Sequence, residues 1–383
     1  MTYTKPGLIS VLIPDGDTYF SVKVLRCLSQ VPEITAHILS RSKKTAAGFS
    51  RYCSSCRCHA SANDDDWIGV IRNLVKELRL DVVLPATDEG FEFVVRNQKA
   101  ISEFAAVPPL PNYDMFNMVG DKWSFYCFAK ENGLPMPASV FIGKGGEPLH
   151  ENKDIESIGY PAILKPTQLT GGFGFAEVSG PSDLARAWED KKIIKGREYL
   201  LQSYVPGVEF SMNIYCKDGE VLTYTLQKSL LDPDHSFGPM KIMEFSDNQA
   251  VVELCSRVVS LTGWDGVGNV DFIIDDRNGG IVIHDFNPRF SQALLGSLSS
   301  GVNFPVLTCL DAVGMDLPDM RQTNVIYAHP VTHARMLAYR FMGRKTPTKI
   351  RFKDGGLKFV ARDPLPELYD FYLRTVKWFA RRI

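Results

Sequence analysis

No stretch of this 383-residue chain approaches the ~18 consecutive apolar residues that a membrane-crossing helix needs, so a span is not expected. An excess of charge of one sign is also missing. Lys and Arg number 43 against 44 Asp and Glu, a net of -1, which argues against a nucleic-acid partner or a polybasic anchor and makes any basic site local. The start, Met1-Thr-Tyr-Thr-Lys-Pro, leads straight into a strand-like Leu8 to Ile13 without a visible export signal. With eight scattered cysteines, this reads as a cytoplasmic chain with reduced thiols. Cys53, Cys56 and Cys58 form C-x-x-C-x-C beside His59, but no second C-x-x-C exists to complete a four-ligand zinc site, so ordinary thiols near a loop are expected. Neither G-x-x-x-x-G-K-[ST] nor G-x-G-x-x-G occurs, so neither a P-loop nor a dinucleotide fingerprint explains a nucleotide site. Internal repeats and low-complexity tracts are likewise missing.

What is present is a chain long enough, and at 45% hydrophobic residues apolar enough, for two or three packed units. Strand and helix signals alternate over the first hundred residues: Leu8 to Ile13, Tyr19 to Ser29, Ala36 to Leu39, Trp67 to Arg79 and Asp81 to Pro85. That is the pattern of a parallel α/β unit. Ligands of such sheets collect beyond the carboxyl ends of the strands, where Asp15-Gly-Asp17 and Thr87-Asp88-Glu89 fall. The expected division is an α/β unit over 1–112, a linker helix region over 113–150, a small lobe over 151–205, a large lobe over 206–315 and an extension over 316–383. A helical stretch from Tyr113 to Asn132 ends at Gly133. The extension holds a strand-like Leu357 to Ala361 and a final helix from Leu365, whose Tyr369, Tyr372, Trp378 and Phe379 read as a face docked on the protein itself.

The most informative segment is Gly268-Asn-Val-Asp-Phe-Ile-Ile followed by Ile281-Val-Ile-His-Asp-Phe-Asn-Pro-Arg. Strand residues alternate faces, so Asp285, Asn287 and Arg289 point one way, and a turn centred on Asn278 sets Asp271 opposite Asp285. Opposed Cβ atoms lie roughly 4.5 to 5.5 Å apart, close enough for two carboxylates to share a hard cation. Upstream, Lys165 ends a strand before Thr170-Gly171-Gly172-Phe173-Gly174, whose glycines let backbone N–H groups approach phosphate. Lys122 opens a helix. Gln202-Ser-Tyr204-Val205-Pro-Gly-Val-Glu209 joins the two lobes as a hinge, with backbone groups at Val205 suited to a purine edge, the Gln202 amide to its amine and Glu209 to ribose hydroxyls.

This ordered set of Lys122, Lys165 with its glycine loop, the Gln202 to Glu209 hinge and the Asp271, Asp285, Asn287, Arg289 patch resembles the ATP-grasp superfamily over residues 113 to 315. Its flavour is that of carbamoyl-phosphate-synthetase-like or D-alanine-D-alanine-ligase-like carboxylate-amine ligases. The resemblance implies an α/β fold with a biotin-carboxylase-like N-terminal domain ahead of a two-lobed ATP-grasp fold with mixed and antiparallel sheets. It implies ATP and Mg²⁺, or Mn²⁺, as cofactors. Lys122 and Lys165 would meet the α- and β-phosphates, and the glycine loop of Gly171, Gly172 and Gly174 would close as a lid. Gln202, Tyr204 and Val205 would hold adenine and Glu209 the ribose. Lys228 would be a further phosphate lysine, Asp271, Asp285 and Asn287 the metal ligands, and Arg289 the catalytic group steadying an acyl-phosphate. Two departures stand out: relatives usually have glutamate where this chain has Asp285, and often where it has Gln202.

The implied chemistry is ADP-forming amide or peptide bond synthesis between a small-molecule carboxylate and an amine, through an acyl-phosphate. Loop closure over residues Leu230 to Phe245 is expected, with His235 a candidate base and Ser291, Gln292 and Ser297 to Asn303 near the substrate. Rival readings are a bicarbonate-using carboxylase that passes through carboxyphosphate, and an ATP-binding regulatory protein without turnover. A symmetric homodimer is the common assembly at this size.

Overall fold

The computed structural model describes residues 8–380 apart from 61–62, 150–153, 170–171, 191–192, 231–239, 345 and 347, and apart from the side chains of 374 and 377–380. Three sheets carry the architecture. The first is parallel, in the order β3-β2-β1-β4, from β1 (Ile9–Ile13), β2 (Ile34–Ser40), β3 (Ser55–Cys58) and β4 (Val82–Val83). Every residue of β1 is buried, as befits a central parallel strand covered on both faces. The second, antiparallel, runs β5-β8-β6-β7 from β5 (Ser139–Lys144), β6 (Ala162–Pro166), β7 (Ala176–Val178) and β8 (Glu198–Ser203). The third has six strands, β13-β12-β9-β10-β11-β14. They are β9 (Gly207–Lys217), β10 (Glu220–Ser229), β11 (Ile242–Phe245), β12 (Gly266–Asp275), β13 (Ile281–Asn287) and β14 (Val325–Ala328).

Several segments differ from the sequence expectation. Residues Ser139–Lys144, inside the stretch read as a linker, are an edge strand of the small sheet, and Val325–Ala328, inside the extension, completes the large one. The helix expected from Tyr113 to Asn132 is two, Tyr113–Gly120 and Lys122–Glu131, because Asp121 leaves helical geometry to cap the second through Ser124 N–H at 2.9 Å. That break sets Lys122 in a first helical turn. Leu357 to Ala361 alternates like a strand but is the helix Leu357–Arg362 with Phe359 buried beneath it. Cys56 and Cys58 lie on edge strand β3 rather than in a loop, and burial holds the Cys53 and Cys56 thiols above their usual range.

Two polar centres tie the N-terminal unit together. Arg26, 1% exposed, reaches Asp363 and Glu367 and thereby pins the terminal helix Leu365–Ala380 to helix Phe20–Leu28. Asp15, after β1, accepts from Thr87 N–H at 2.6 Å, Thr87 Oγ1 at 2.5 Å and Ala86 N–H at 3.1 Å, clamping the loop after β4. A Cβ at Gly90 would lie 2.0 Å from Asp15 Oδ2, so only glycine fits there.

Burial pushes the Asp15 carboxyl from its ordinary 3.8 up to about 6, against the opposing pull of the Thr87 and Ala86 hydrogen bonds. The folded state therefore keeps this proton longer than the unfolded chain does. Its contribution to stability is full below pH 3.8 and is lost as pH rises through about 6. Asp15→Asn is expected to flatten that fall, as read from urea denaturation midpoints across the same interval.

Candidate active site

A cleft of about 340 Å³ opens between the loop after β6 and the face of the large sheet. Its floor follows from strand register. On four adjacent strands, Gln227, Ser211, Asp271 and Asp285 lie in one cross-strand row, and Thr225, Asn213, Asn269 and Asn287 in the next. Each sits two residues from its neighbour in the other row, so all share one face. The rows are knitted together by hydrogen bonds. Ser211 Oγ donates to Asp271 Oδ1 at 2.6 Å, Asn269 Nδ2 to Ser211 Oγ at 2.7 Å, Asn213 Nδ2 to Thr225 Oγ1 at 3.0 Å, and Asn287 Nδ2 to Asp271 Oδ2 at 3.1 Å.

The expected pairing of Asp271 with Asp285 is present, but the turn alone does not produce it. Near the turn Ile274 faces Ile281 and Phe272 faces Ile283; a bulge at His284 then shifts the register by one residue and restores Asp271 opposite Asp285. The same bulge aims His284 into the cleft. Burial first, then Lys165 and Lys122, hold its imidazole down to about 3, so it is neutral at ordinary pH.

The two carboxylates are electrostatically unlike. Burial resists ionisation of Asp285, yet the Lys122 and Lys165 ammoniums outweigh it and hold its carboxyl below the usual range. Lys122 Nζ is 3.4 Å from Asp285 Oδ2 and donates to the Leu169 carbonyl at 2.9 Å. Lys165, 1% exposed, is lowered to about 8, chiefly by burial, with Asp285 pulling the other way. Asp271 is pushed up to about 7, first by burial and further by Asp285 and Glu209, against the Ser211 hydrogen bond.

Hard oxygen donors with a carboxylate reluctant to ionise beside a second one are what a divalent cation would relieve, so the Asp271, Asp285 and Asn287 set fits Mg²⁺. Among the described residues no three His, Cys, Asp or Glu side chains converge on one point. A cation's remaining ligands would therefore be the Asn287 amide and ligand oxygens.

Arg289, 7% exposed, crosses between domains: Nε donates to Asp88 Oδ1, Nη1 to the Phe290 carbonyl at 3.0 Å and Nη2 to Asn287 Oδ1 at 3.2 Å. Of Asp15, Asp17, Thr87 and Asp88, Asp88 is thus brought to the site; Asp15 and Thr87 bond each other, and Asp17 accepts from Arg41 and Ser42 N–H groups. Ser291 and Gln292 line the cleft, whereas Ser297 is buried against Asn213 and Asn303 caps the following helix.

Gly172 lines the cleft mouth with Phe173, which is 73% exposed. Gly172 and Gly174 both have φ of +77°, and a Cβ at Gly174 would lie 2.8 Å from the Tyr199 hydroxyl. Gly171, Thr170 and His235 lie outside the described residues. Glu209 lines the cleft on the Ser211 face of β9, and burial raises its carboxyl. Gln202, Tyr204 and Val205 sit at the lobe junction rather than on the cleft wall, with Gln202 Nε2 donating to Ser139 Oγ at 2.9 Å. There, Tyr204 N–H donates to the Pro161 carbonyl and the Pro206 carbonyl accepts from Asp276, while the Val205 N–H and carbonyl have no backbone partner among the described residues.

Lys228, the expected further phosphate lysine, is next to the cleft-lining Gln227 and pairs with Glu244 at 2.9 Å. Residues absent from the sequence reading line the cleft or hold its lining in place. Lys23 donates to the Gln292 carbonyl at 2.9 Å and to its Oε1 at 2.8 Å, and burial, with Arg289 repulsion, lowers it to about 7. His329 lines the cleft with a buried Nε2 that has no partner among the described residues. Ser211 and Asn213 were visible as polar residues that continue the alternation begun by Glu209 against apolar Val208, Phe210, Met212 and Ile214; nothing local marks Lys23.

Residues 119–293 match the family model described as the ATP-grasp domain. The arginine-specific carbamoyl phosphate synthase large chain of Halalkalibacterium halodurans is 25% identical over 202 residues, 51% of this chain and 19% of that protein. This chain spans about a fifth of the length of such curated relatives. N5-carboxyaminoimidazole synthetase from Staphylococcus aureus superposes with a TM-score of 0.65 at 15% identity, covering 90% of this chain and 88% of that one. Biotin carboxylase from Campylobacter jejuni gives 0.63 at 18% identity, covering 83% and 74%. The opposed carboxylates Asp271 and Asp285, the paired lysines Lys122 and Lys165, and Arg289 all fall inside the span that matches the ATP-grasp domain.

Proposed function

We propose that the protein is an ATP-dependent carboxylate-amine ligase that works through an acyl-phosphate and releases ADP and phosphate. The observation that carries this reading is the convergence of Asp271, Asp285, Lys122, Lys165 and Arg289 about one side of the cleft. A substrate carboxylate oxygen attacks the γ-phosphorus of ATP as its bond to the β-phosphate oxygen breaks. An amine nitrogen then attacks the acyl carbon, phosphate leaves with the C–O bond electrons, and the nitrogen loses a proton. Such transfer depends on alignment and charge neutralisation.

Lys122 and Lys165 supply positive charge from a dry position beneath the phosphates, and Arg289, fixed by Asp88 and Asn287, presents its guanidinium to the reacting carboxyl group. Asp271, Asp285 and Asn287 would hold Mg²⁺, which supplies charge neutralisation and orientation of phosphate oxygens when bound. The backbone groups of Val205, without a backbone partner among the described residues, suit an adenine edge, with Tyr204 and Gln202 around it, and Glu209 suits ribose hydroxyls. The Gly172–Gly174 loop excludes water from the acyl-phosphate. A cytoplasmic homodimer is the expected assembly, since symmetric pairs are the commonest closed oligomers.

ADP release measured across a pooled carboxylate and amine library, with mass spectrometry of the products, tests the reading. Stimulation that needs both a carboxylate and an amine supports it. Stimulation by bicarbonate without a second carboxylate would make the protein a carboxylase, and ATP binding without any stimulation would leave it a binding protein.

A further inference from the structure

The C-terminal segment has a composition unlike the rest of the chain. Residues 330–383 contain thirteen Lys and Arg against four Asp and Glu, leaving the other 329 residues ten charges negative. Arg335, Arg340, Arg344, Lys349 and Lys353 are exposed and have no carboxylate partner among the described residues. This is a basic surface on a chain whose overall charge conceals it.

The same segment exposes large apolar side chains. The terminal helix Leu365–Ala380 docks by one side only: Pro366 is buried, Tyr369 packs on Phe49 with ring centroids 4.5 Å apart, and Glu367 pairs with Arg26. Flanking the docked Tyr369, Leu365, Leu368, Tyr372 and Val376 recur at three- and four-residue spacing as an exposed stripe, with Phe371 at its edge. Leu368 is 62% and Phe371 71% exposed. The expectation that the aromatics of this helix form one docked face therefore holds for Tyr369 and not for Tyr372, while the side chains of Trp378 and Phe379 lie outside those described. Helix Pro330–Phe341 adds Val331, Met342 just beyond its end, and Phe341, which is 95% exposed.

Among the described residues no helix is long and apolar enough to cross a membrane. Exposed apolar side chains in a segment that also exposes Arg340 and Arg344 on either side of Phe341 and Met342 have instead the chemistry of a surface that lies in the lipid interface. We propose that the described exposed residues between Pro330 and Val376 form a peripheral docking surface for an anionic lipid bilayer. The exposed apolar side chains enter the boundary between headgroups and acyl chains while the basic residues meet acidic headgroups. Apolar side chains gain nothing from a nucleic-acid backbone, and two copies of the Arg335, Arg340 and Arg344 surface repel each other. The surface starts one residue after His329, which lines the cleft, and the inference does not rest on the ligase reading.

The test is co-sedimentation of the full-length chain with phosphatidylcholine vesicles, either pure or containing phosphatidylglycerol, at low and high salt. The chain is expected to pellet with the acidic vesicles at low salt, much less at high salt, and not with pure phosphatidylcholine. Arg340→Gln should lower the partition coefficient roughly fivefold, the share of one basic residue near an acidic surface. The double variant Leu368→Asp, Phe371→Asp should abolish pelleting with an unchanged melting temperature; should that variant fail to fold, Arg340→Gln decides alone. Any of four results would overturn the proposal: no pelleting with acidic vesicles, equal pelleting with neutral ones, partition indifferent to the substitutions, or a solution mass that halves in the double variant and so marks the stripe as a self-association face. Oligonucleotide binding in place of vesicle binding would overturn it too.

Discussion

Arg289→Ala is expected to lower turnover by about 10²- to 10³-fold, the usual effect of removing one preorganised donor from a developing oxyanion. The side chain is buried and each guanidinium nitrogen already has a protein acceptor, so it is held ready rather than recruited on binding. Because its contribution is realised mainly as charge shifts during transfer, kcat should fall more than KM rises. Arg289→Lys should recover little of the loss, since a lysine cannot reproduce the planar fork that serves Asp88 and Asn287 together. Steady-state ADP release for the three proteins decides this. A fall confined to KM would make Arg289 a binding residue only.

Asp285→Ala should damage the protein twice. Lys122 and Lys165 are buried, and Asp285 is the carboxylate that does most to keep Lys165 charged. Removing one partner of a buried pair costs roughly 3–5 kcal/mol where the remaining charge cannot relax. Part of that cost is relieved if Lys165, already lowered to about 8, gives up its proton. The variant should therefore show a lower urea midpoint and also lose Mg²⁺-dependent ADP formation, whereas Asp285→Asn should keep more of the stability and none of the activity. Unchanged stability in Asp285→Ala would show that the two lysines do not depend on this carboxylate.

The hairpin of β12 and β13 was legible in the sequence because its signal is local: two strand patterns, a turn at Asn278 and polar residues at alternate positions. Even so, the opposed carboxylates depend on the His284 bulge, which symmetric counting about the turn does not reveal. The other half of the polar floor was illegible for a topological reason. β9 lies beside β12, which begins 49 residues after β9 ends, so Ser211 and Asn213 face Asp271 and Asn269 only once the sheet is assembled. Lys23 meets Gln292 across 269 residues of sequence. Lys228 is one position from the cleft-lining Gln227 and is held by Glu244 on the neighbouring strand, a partner the sequence did not show. In the extension, the alternation Leu357, Phe359, Ala361 suggested a strand, but this short segment folds as a helix with Phe359 as its buried contact.

Calorimetric titration of ATP into the protein with and without Mg²⁺, repeated on Asp271→Asn, tests the shared carboxylate site most directly. The account expects tight binding only when the divalent cation is present, a cation dependence that disappears in the variant, and proton release near pH 7 as Asp271 ionises on cation binding. Equal affinity with and without Mg²⁺, or an Asp271→Asn protein that keeps the full cation dependence, would contradict it.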